Sequence, residues 1–241
     1  MNRESTVRVA LLFPELLGTY GDGGNALVLA QRLRWRGVDA DIVPVSVTDT
    51  VPSSCDVYAL GGGEDAPQTL ATERLAERGL RDAVDAGAVV FAVCAGFQIL
   101  GRTFTGADGQ PQPGLGVLDC STRPKGSRQI GELVVRPTAL DLPLLTGFEN
   151  HGGITELGPD AVPIGLVLAG SGNGAGGVEG VVTGKVMGTY LHGPALARNP
   201  ALADLLLSWV VGPLEPIDDT VVEELRRQRL SEALGRRVAS S

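Results

Sequence analysis

The sequence predicts an α/β fold of three layers, in which a mostly parallel central sheet lies between helices and gains an antiparallel extension in its second half. Two observations predict this class. In the first half, apolar runs of strand length alternate with helical patterns, an order that implies right-handed crossovers between parallel strands. In the second half, short β-type runs are separated by Gly and Pro, which is typical of antiparallel strands joined by turns.

The first half is expected to hold four strands and two helices. The first strand, VRVALLF, is a continuous apolar run whose length suits a buried parallel strand. Each helix carries apolar residues at helical spacing and ends on a glycine, Gly37 or Gly87, as helices often do. The strands are predicted at 7–13, 39–45, 56–62 and 88–93, and the helices at 25–37 and 69–87.

The second half is expected to be rich in short strands up to about Gly188. Residues 169–180 (AGSGNGAGGVEG) are predicted to be a flexible hairpin loop, because they lack the phosphate-loop pattern and no helix follows them. The final segment begins acidic and ends basic, which favours a terminal helix. We therefore expect one main domain over 1–212 and a helical tail over 213–241.

The composition excludes several classes of function. Lys and Arg number 20 against 28 Asp and Glu, and the net charge of −8 argues against a nucleic-acid partner. No apolar run reaches the roughly 18 residues of a membrane span, and the N-terminus does not resemble a signal peptide. Three cysteines are an odd and sparse set, which favours the reducing cytoplasm over a disulfide framework. With only two histidines and no close Cys/His pairing, a structural metal site is not expected, and no cofactor is expected either.

The most informative segment places Cys94 between an apolar strand and a short apolar helix. Small residues surround the cysteine, so the backbone can turn sharply and lift the thiol off the carboxyl end of the sheet. The amides at the start of the following helix can stabilise an oxyanion. This placement predicts a nucleophile, although a buried structural cysteine is the commoner fate of this residue type.

A cysteine nucleophile needs a base, and the chain has two histidines, His151 and His192. His192 stands at a predicted strand end before a helix, whereas His151 stands among turn residues. We therefore predict His192 as the base and His151 as a loop or site-shaping residue. Cys55 and Cys120 are expected to be structural.

Several stretches carry a family resemblance. Val93-Cys94-Ala95-Gly96-Phe97-Gln98 with a distant Tyr190-Leu191-His192-Gly193 resembles class I glutamine amidotransferases, which have a flavodoxin-like fold, and most closely their cobyric-acid-synthase-like branch. Within that branch, four stretches resemble the GatD-type subunit of lipid II isoglutaminyl synthase, and the resemblance extends over roughly residues 7–210. The four stretches are 18–25, 60–65, 127–131 and 148–153.

The resemblance implies a role for each matching position. Cys94 would attack the side-chain amide of L-glutamine, and His192 would assist and protonate the leaving ammonia. The resemblance further implies substrate-binding residues, with Arg128 on the α-carboxylate and the oxyanion on backbone amides. The substrate-binding positions are Arg128, Gly62, Gly63, Ala95 and Gln98.

One departure from the class concerns the acid that orients the histidine. The usual pattern is His-x-Glu, whereas His192 is followed by Gly193 and Pro194. The histidine could act without an acid, or a partner subunit could supply one, in which case glutaminase activity would depend on assembly. Glu64 and Asp22 are the alternatives within the chain.

The sequence lacks an ATP-binding signature, so the chain is expected to release ammonia without using it. The resemblance implies a heterodimer with an ATP-dependent, Mur-ligase-like partner of MurT type, which would amidate D-glutamate in the lipid II stem peptide to D-isoglutamine. Three alternatives stay open: an amidotransferase subunit that feeds another acceptor, a non-catalytic scaffold subunit, and a PfpI-like cysteine hydrolase. The last fits less well, because Ala95 stands where that class has its histidine.

Overall fold

A parallel sheet forms the centre of the fold in the computed structural model, which describes residues 6–238. Its six strands lie in the order β11-β12-β4-β3-β1-β2, and all neighbours are parallel except β11 and β12. Every residue of β3, β4 and β12 is buried, and because side chains alternate between the two faces of a strand, both faces of the sheet are covered. The strands are β1 (Val7–Leu12), β2 (Ala40–Val45), β3 (Val57–Leu60), β4 (Val89–Val93), β11 (Val181–Thr183) and β12 (Val186–Thr189).

Two groups of helices provide this cover. Helices α1, α5 and α6 pack against one another, and α2 packs against both α3 and α4. The predicted three-layer α/β class is therefore confirmed. The helices are α1 (Gly24–Arg34), α2 (Asp65–Leu75), α3 (Arg78–Asp85), α4 (Ala95–Leu100), α5 (Ala195–Arg198), α6 (Pro200–Val211) and α7 (Thr220–Val238).

The single helix predicted over 69–87 is wrong, because the chain forms α2 and α3 there. The break lies at Glu77, whose backbone is extended with a ψ of 154°. The start of α3 then approaches the loop before β3 so closely that a Cβ on Gly79 would lie 2.1 Å from the carbonyl oxygen of Val51. Apolar spacing continues across the break, which is why the pattern alone indicates one helix.

Most of the second half forms a second sheet rather than an extension of the first. Its strand order is β10-β9-β7-β5-β6, β8 also pairs with β7, and nearly all pairs are antiparallel. Only β11 extends the central sheet as an antiparallel strand. The second-sheet strands are β5 (Thr103–Thr105), β6 (Pro111–Pro113), β7 (Cys120–Pro137), β8 (Leu145–Leu157), β9 (Gly165–Ala169) and β10 (Val178–Glu179).

The two sheets meet at His192, and this contact positions the site. The backbone N–H of His192 donates to the carbonyl oxygen of Phe148 on β8 at 2.8 Å, and the N–H of Phe148 donates back at 3.1 Å. The β7–β8 ladder is irregular between Pro124 and Gln129, and this irregular segment carries Arg128. The long hairpin thus brings a basic side chain to the edge of the central sheet.

A hairpin is present where the flexible hairpin loop is predicted over 169–180, because β9 and β10 pair antiparallel there, and the flexibility of the loop stays a prediction. Its backbone is held from inside the protein: the amides of Ser171 and Gly172 donate to the Glu149 carboxylate at 2.8 and 3.0 Å. The buried side chain of Asn173 accepts from the amide of Gly180 at 2.8 Å.

The predicted terminal helix is α7, which packs against β7, β8 and β9. Arg32 of α1 forms ion pairs of 2.7 Å with both Asp204 and Asp219, so the segment before α7 is tied to the main domain. The domain boundary at residue 212 stays a prediction. Across residues 6–238, no helix has the length and hydropathy that crossing a lipid bilayer requires.

Candidate active site

Cys94 lies at a sharp turn between β4 and α4. Its backbone has φ 53° and ψ −108°, a conformation that costs a non-glycine residue roughly 1–3 kcal/mol. Hydrogen bonds hold the turn in place: the Cys94 amide donates to Thr189 O at 2.9 Å, and the Cys94 carbonyl accepts from Gln98 N at 3.0 Å. The following Gly96 lies against β3, where a Cβ would come within 2.7 Å of Leu60 Cβ. The predicted nucleophile turn is therefore present.

His192 and Asp22 form a fully buried pair beside this turn. His192 Nδ1 lies 2.8 Å from Asp22 Oδ2, and both side chains have no exposed surface. The same carboxylate oxygen accepts the backbone N–H of Gly62 at 2.9 Å. The other imidazole nitrogen, Nε2, has no hydrogen-bond partner among the described residues. Asp22 thus orients the ring and leaves Nε2 available for chemistry.

Gly62 is the point at which the three side chains converge. A Cβ on this residue would lie 2.9 Å from His192 Cε1, 3.2 Å from Asp22 Oδ2 and 3.3 Å from Cys94 Cβ. All three groups therefore surround one small volume that only a glycine leaves free. This arrangement places the cysteine, the histidine and the acid within reach of one another.

The environment of His192 favours its protonated form. Burial opposes the charge, but the hydrogen bond that His192 donates to Asp22 and the adjacent Cys94 outweigh it and raise the pKa of His192 to about 9. The imidazole of His192 is consequently in its positively charged form at neutral pH. A protonated imidazole is the form that can give a proton to a leaving amine.

Arg128 reaches the same edge of the sheet through Tyr20. Arg128 Nη2 donates to the Tyr20 hydroxyl at 3.0 Å, and Arg128 Nε donates to Asn150 Oδ1. The Tyr20 ring packs edge-on against the His192 ring, with centroids 5.0 Å apart. The predicted substrate-binding arginine and the predicted base are therefore separated by one aromatic side chain.

A cavity of about 180 Å³ lies beside this group. Both Gln98 and Arg128 line it, so two predicted substrate-binding residues share one space. The amide of Gln98 already has partners at both ends, since Nε2 donates to Tyr190 OH at 3.0 Å and Oε1 accepts from Gln68 at 3.1 Å. The remaining lining residues are Asp65, Thr105, Gly106, Thr122, Arg123, Pro124, Gly152 and Gly153.

The predicted backbone donors Gly62, Gly63 and Ala95 differ in their surroundings. Gly62 lies among the side chains of Cys94, His192 and Asp22, but its N–H is donated to Asp22. Gly63 faces the preceding loop, where a Cβ would lie 2.6 Å from Leu16 O. Ala95 is the first residue of α4, directly after the nucleophile. All three lie at the expected edge of the sheet, and their role toward an oxyanion stays a prediction.

The structure brings together residues that the sequence did not connect. Of the two acids considered within the chain, Asp22 is the one paired with His192. Tyr20 and Asn150 were not singled out, although both stand in stretches that carried the resemblance. His151 was expected in a loop, but it lies in β8, buried and stacked on Tyr190 with centroids 3.8 Å apart.

Cys55 and Cys120, which are expected to be structural, are both buried. All three cysteines are free thiols, and burial raises the pKa of Cys120 to about 12, which suits a structural role. Residues 6–238 contain no cluster of three or more His, Cys, Asp or Glu side chains arranged to hold a metal ion.

Comparison with known proteins agrees with this geometry. Residues 8–200 match the CobB/CobQ-like glutamine amidotransferase domain. The chain is 36% identical over 195 residues to the lipid II isoglutaminyl synthase (glutamine-hydrolyzing) subunit GatD of Staphylococcus aureus, across 79% of each protein. It is 35% identical over 207 residues to the subunit of the same name from Streptococcus pneumoniae, across 84% of this chain and 79% of that one.

A solved structure shows the same fold at low identity. The glutaminase domain of Trypanosoma brucei CTPS with bound acivicin superposes with a TM-score of 0.54 and 12% identity, covering 88% of this chain and 96% of that one. Together with the matched domain, these relatives show that the chain belongs to the CobB/CobQ-like glutamine amidotransferases and, within them, to the GatD subunits of lipid II isoglutaminyl synthase.

Proposed function

We propose that this chain hydrolyses L-glutamine through a thioester at Cys94, with His192 and Asp22 as its catalytic partners. The observation that carries the proposal is the buried 2.8 Å contact between Asp22 Oδ2 and His192 Nδ1 beside the strained Cys94 turn. A nucleophile, a base and an acid that orients the base are the three groups that amide hydrolysis by a cysteine requires.

In the first half-reaction, His192 Nε2 takes the thiol proton of Cys94, and Sγ forms a bond to the side-chain amide carbon of glutamine. The proton held by His192 passes to the amide nitrogen, the carbon–nitrogen bond breaks, and ammonia leaves. In the second, His192 Nε2 takes a proton from water, whose oxygen attacks the thioester carbon. The carbon–sulfur bond then breaks, the proton returns to the Cys94–His192 pair, and glutamate is released.

The negative oxygen formed at each attack needs backbone donors. We assign this role to the N–H groups of Ala95 and Gly63, because the N–H of Gly62 is held by Asp22 in the described structure. Gly62 instead keeps the space between the three catalytic side chains open. Arg128 binds the α-carboxylate of glutamine beside the cavity that it shares with Gln98.

The ammonia acceptor follows from the relatives. The names of the two GatD relatives describe a glutamine-hydrolysing subunit of lipid II isoglutaminyl synthase. We propose that this chain likewise forms a heterodimer with an ATP-dependent, Mur-ligase-like subunit of MurT type. That subunit would use the ammonia to amidate D-glutamate in the lipid II stem peptide to D-isoglutamine during peptidoglycan synthesis. The three free thiols suit a cytoplasmic setting.

The test is glutamate release from L-glutamine by the purified chain, alone and with its Mur-ligase-like partner. Release that disappears in Cys94→Ser establishes the nucleophile. Release by the wild-type chain alone supports Asp22 as the acid, whereas release only in the complex favours an acid or a rearrangement supplied by the partner. A folded chain that releases no glutamate under either condition contradicts the catalytic proposal and supports a scaffold subunit.

A further inference from the structure

Tyr20 contacts both the proposed base and the proposed substrate-binding arginine. Its ring packs edge-on against His192, and its hydroxyl lies 3.0 Å from Arg128 Nη2 and 2.7 Å from Asn150 Nδ2. His192 follows a strand of the central sheet, whereas Arg128 and Asn150 belong to the second sheet. Tyr20 is therefore the side chain that joins the two halves of the site.

The direction of each hydrogen bond around Tyr20 is determined by Arg128. A guanidinium can only donate, so the Asn150 atom that faces Arg128 Nε must be the oxygen. The amide nitrogen of Asn150 then faces Tyr20 and donates to its hydroxyl. Arg128 Nη2 also donates to this hydroxyl. Both lone pairs of the phenol oxygen are consequently occupied.

A phenol whose lone pairs are both occupied still has its own proton to donate. The structure shows no acceptor for this proton within residues 6–238, and it shows no partner for Arg128 Nη1 there. An O–H donor and guanidinium N–H donors thus stand side by side, and Arg128 also lines the cavity that contains Gln98. Adjacent donors of this kind match the two oxygens of a carboxylate.

The backbone supports a role in ligand binding. Tyr20 has a φ of 65°, which is unfavourable for an aromatic residue and is found where a side chain is held in place for function. The neighbouring Thr19 amide donates to Gly62 O at 3.2 Å, and Asp22 is held by His192. The loop that orients the base therefore also presents the Tyr20 hydroxyl.

We propose that Tyr20 is a substrate-binding and specificity-determining residue: its hydroxyl donates to the α-carboxylate of glutamine while Arg128 binds the charge of the same group. The site thereby distinguishes glutamine from amides that lack an α-carboxylate. This inference rests on the proposed glutaminase function, because it assigns glutamine to the cavity that Arg128 and Gln98 line.

The test measures binding separately from chemistry. L-glutamine is titrated calorimetrically into Cys94→Ser and into Cys94→Ser/Tyr20→Phe, with 4-aminobutanamide, the analogue without the α-carboxylate, as the second ligand. Removing one hydrogen bond to a charged group should raise the Kd for glutamine about tenfold or more. The analogue should bind weakly, and its Kd should be the same in both proteins. Cys94→Ser/Tyr58→Phe is the control, because it removes the hydroxyl of a buried tyrosine that donates to Pro52 O, six residues earlier in the chain, and contacts neither Arg128 nor Asn150.

A second variant reverses the direction of the hydrogen bond between residue 150 and the Tyr20 hydroxyl, while the side chain keeps its shape. In Asn150→Asp, one oxygen still accepts from Arg128 Nε, and the other accepts a hydrogen bond from the Tyr20 hydroxyl. The hydroxyl can then no longer donate to the substrate. Glutamine binding should again weaken at least tenfold, because the substrate loses this donor and the new carboxylate repels its α-carboxylate. Unchanged glutamine affinity in both variants, equal losses for glutamine and the analogue, or no glutamine binding by the folded Cys94→Ser protein would each overturn the inference. Binding that follows these expectations in a chain without glutaminase activity would support the role of Tyr20 and contradict only the proposed chemistry.

Discussion

The carboxylate of Asp22 lies 2.8 Å from the imidazole of His192, although 170 residues separate them in the chain. Asp22 stands in the loop after β1, and His192 follows β12. Both strands run parallel and end at the same edge of the sheet, with β3 and β4 between them. The parallel sheet therefore assembles the pair, as open α/β sheets commonly do at the carboxyl ends of their strands.

Asp22→Asn should lower kcat/KM for glutamine by about 10² or more, because the imidazole loses both its orientation and the charge that stabilises its proton. The pKa of His192 should fall from about 9 toward its ordinary value of 6.5, so any alkaline limb of the pH–rate profile that reports this group shifts to lower pH. The measurement is kcat/KM between pH 6 and 10.

Glu64→Gln is the matched control for this prediction, since Glu64 was the other acid within the chain, and it should retain near wild-type activity. The same pKa shift has a consequence for stability. A histidine whose pKa is raised on folding stabilises the protein fully below pH 6.5 and loses that contribution as the pH rises through about 9. The stability difference between wild type and Asp22→Asn should therefore shrink over this range. Loss of activity in Glu64→Gln but not in Asp22→Asn would reverse the assignment.

Gly62→Ala should abolish most glutaminase activity while the protein stays folded. The new methyl group would fall within 3.3 Å of atoms of His192, Asp22 and Cys94, so the catalytic side chains must move apart. We expect a fall of about 10² or more in kcat and a destabilisation of roughly 1–3 kcal/mol, measured by steady-state kinetics and urea unfolding.

Gly23→Ala provides the comparison, because its Cβ would meet only Leu11 at an ordinary 3.5 Å and it adjoins Asp22. It should leave kcat within about threefold of wild type. Equal activity in the two alanine variants would show that the catalytic side chains do not converge at Gly62.

The sequence predicted those parts of the site whose signals are local. Cys94 was identified because a buried strand, a cysteine and small residues stand consecutively, and His192 because only two histidines were available. The pairing of Asp22 with His192 remained one of several alternatives, since it depends on the strand order β12-β4-β3-β1, which hydrophobic periodicity does not determine.

In the fold, too, the strands were predicted from local patterns, whereas the sheet that each strand joins was not. Three of the four strands of the first half, β1, β3 and β4, are mostly or fully buried apolar runs, which is the strongest local signal for a parallel strand, whereas β2 is an edge strand with only its two end residues buried. The second half was placed in an extension of the same sheet, because short antiparallel strands carry no signal for which sheet they join. His151 was assigned to a turn for a related reason: its glycine neighbours resemble turn residues, although they lie in β8.

Glu179 should make stability depend on pH. Its carboxyl is completely buried, and burial, aided by the nearby charge of Glu149, raises its pKa to about 7 against the hydrogen bonds from Thr189 and Tyr190. The folded state therefore holds a proton that the unfolded state releases near pH 4.5, so stability falls as the pH rises from about 4.5 to 7 and is then constant.

Glu179→Gln mimics the protonated carboxyl and should remove this dependence. The stability of wild type relative to Glu179→Gln should decrease by roughly 2–4 kcal/mol between pH 4.5 and 8, as measured by urea unfolding at a series of pH values. Glu156→Gln, at an exposed ion pair with Arg123, should show no comparable trend. A parallel pH profile for wild type and Glu179→Gln would show that folding does not raise the pKa of Glu179.

Arg32 should be the main electrostatic tie between the C-terminal segment and the main domain. Its guanidinium is buried and donates to both oxygens of Asp204 and both oxygens of Asp219, at 2.7–2.8 Å. Arg32→Ala leaves Asp219 without this cation, and Asp204 keeps only its 2.7 Å contact with Arg36. Breaking a buried pair from one side should cost about 3–5 kcal/mol of unfolding free energy.

Asp219→Asn should cost less, because Arg32 keeps its bidentate contact with Asp204. Arg123→Ala is the exposed control and should change stability by at most about 1 kcal/mol. Limited proteolysis after residue 212 should accelerate in Arg32→Ala and not in Arg123→Ala, since the helical segment then detaches more readily. If the unfolding free energies of Arg32→Ala and Arg123→Ala were the same, Arg32 would not be the main electrostatic contact that holds the segment of α7 on the main domain.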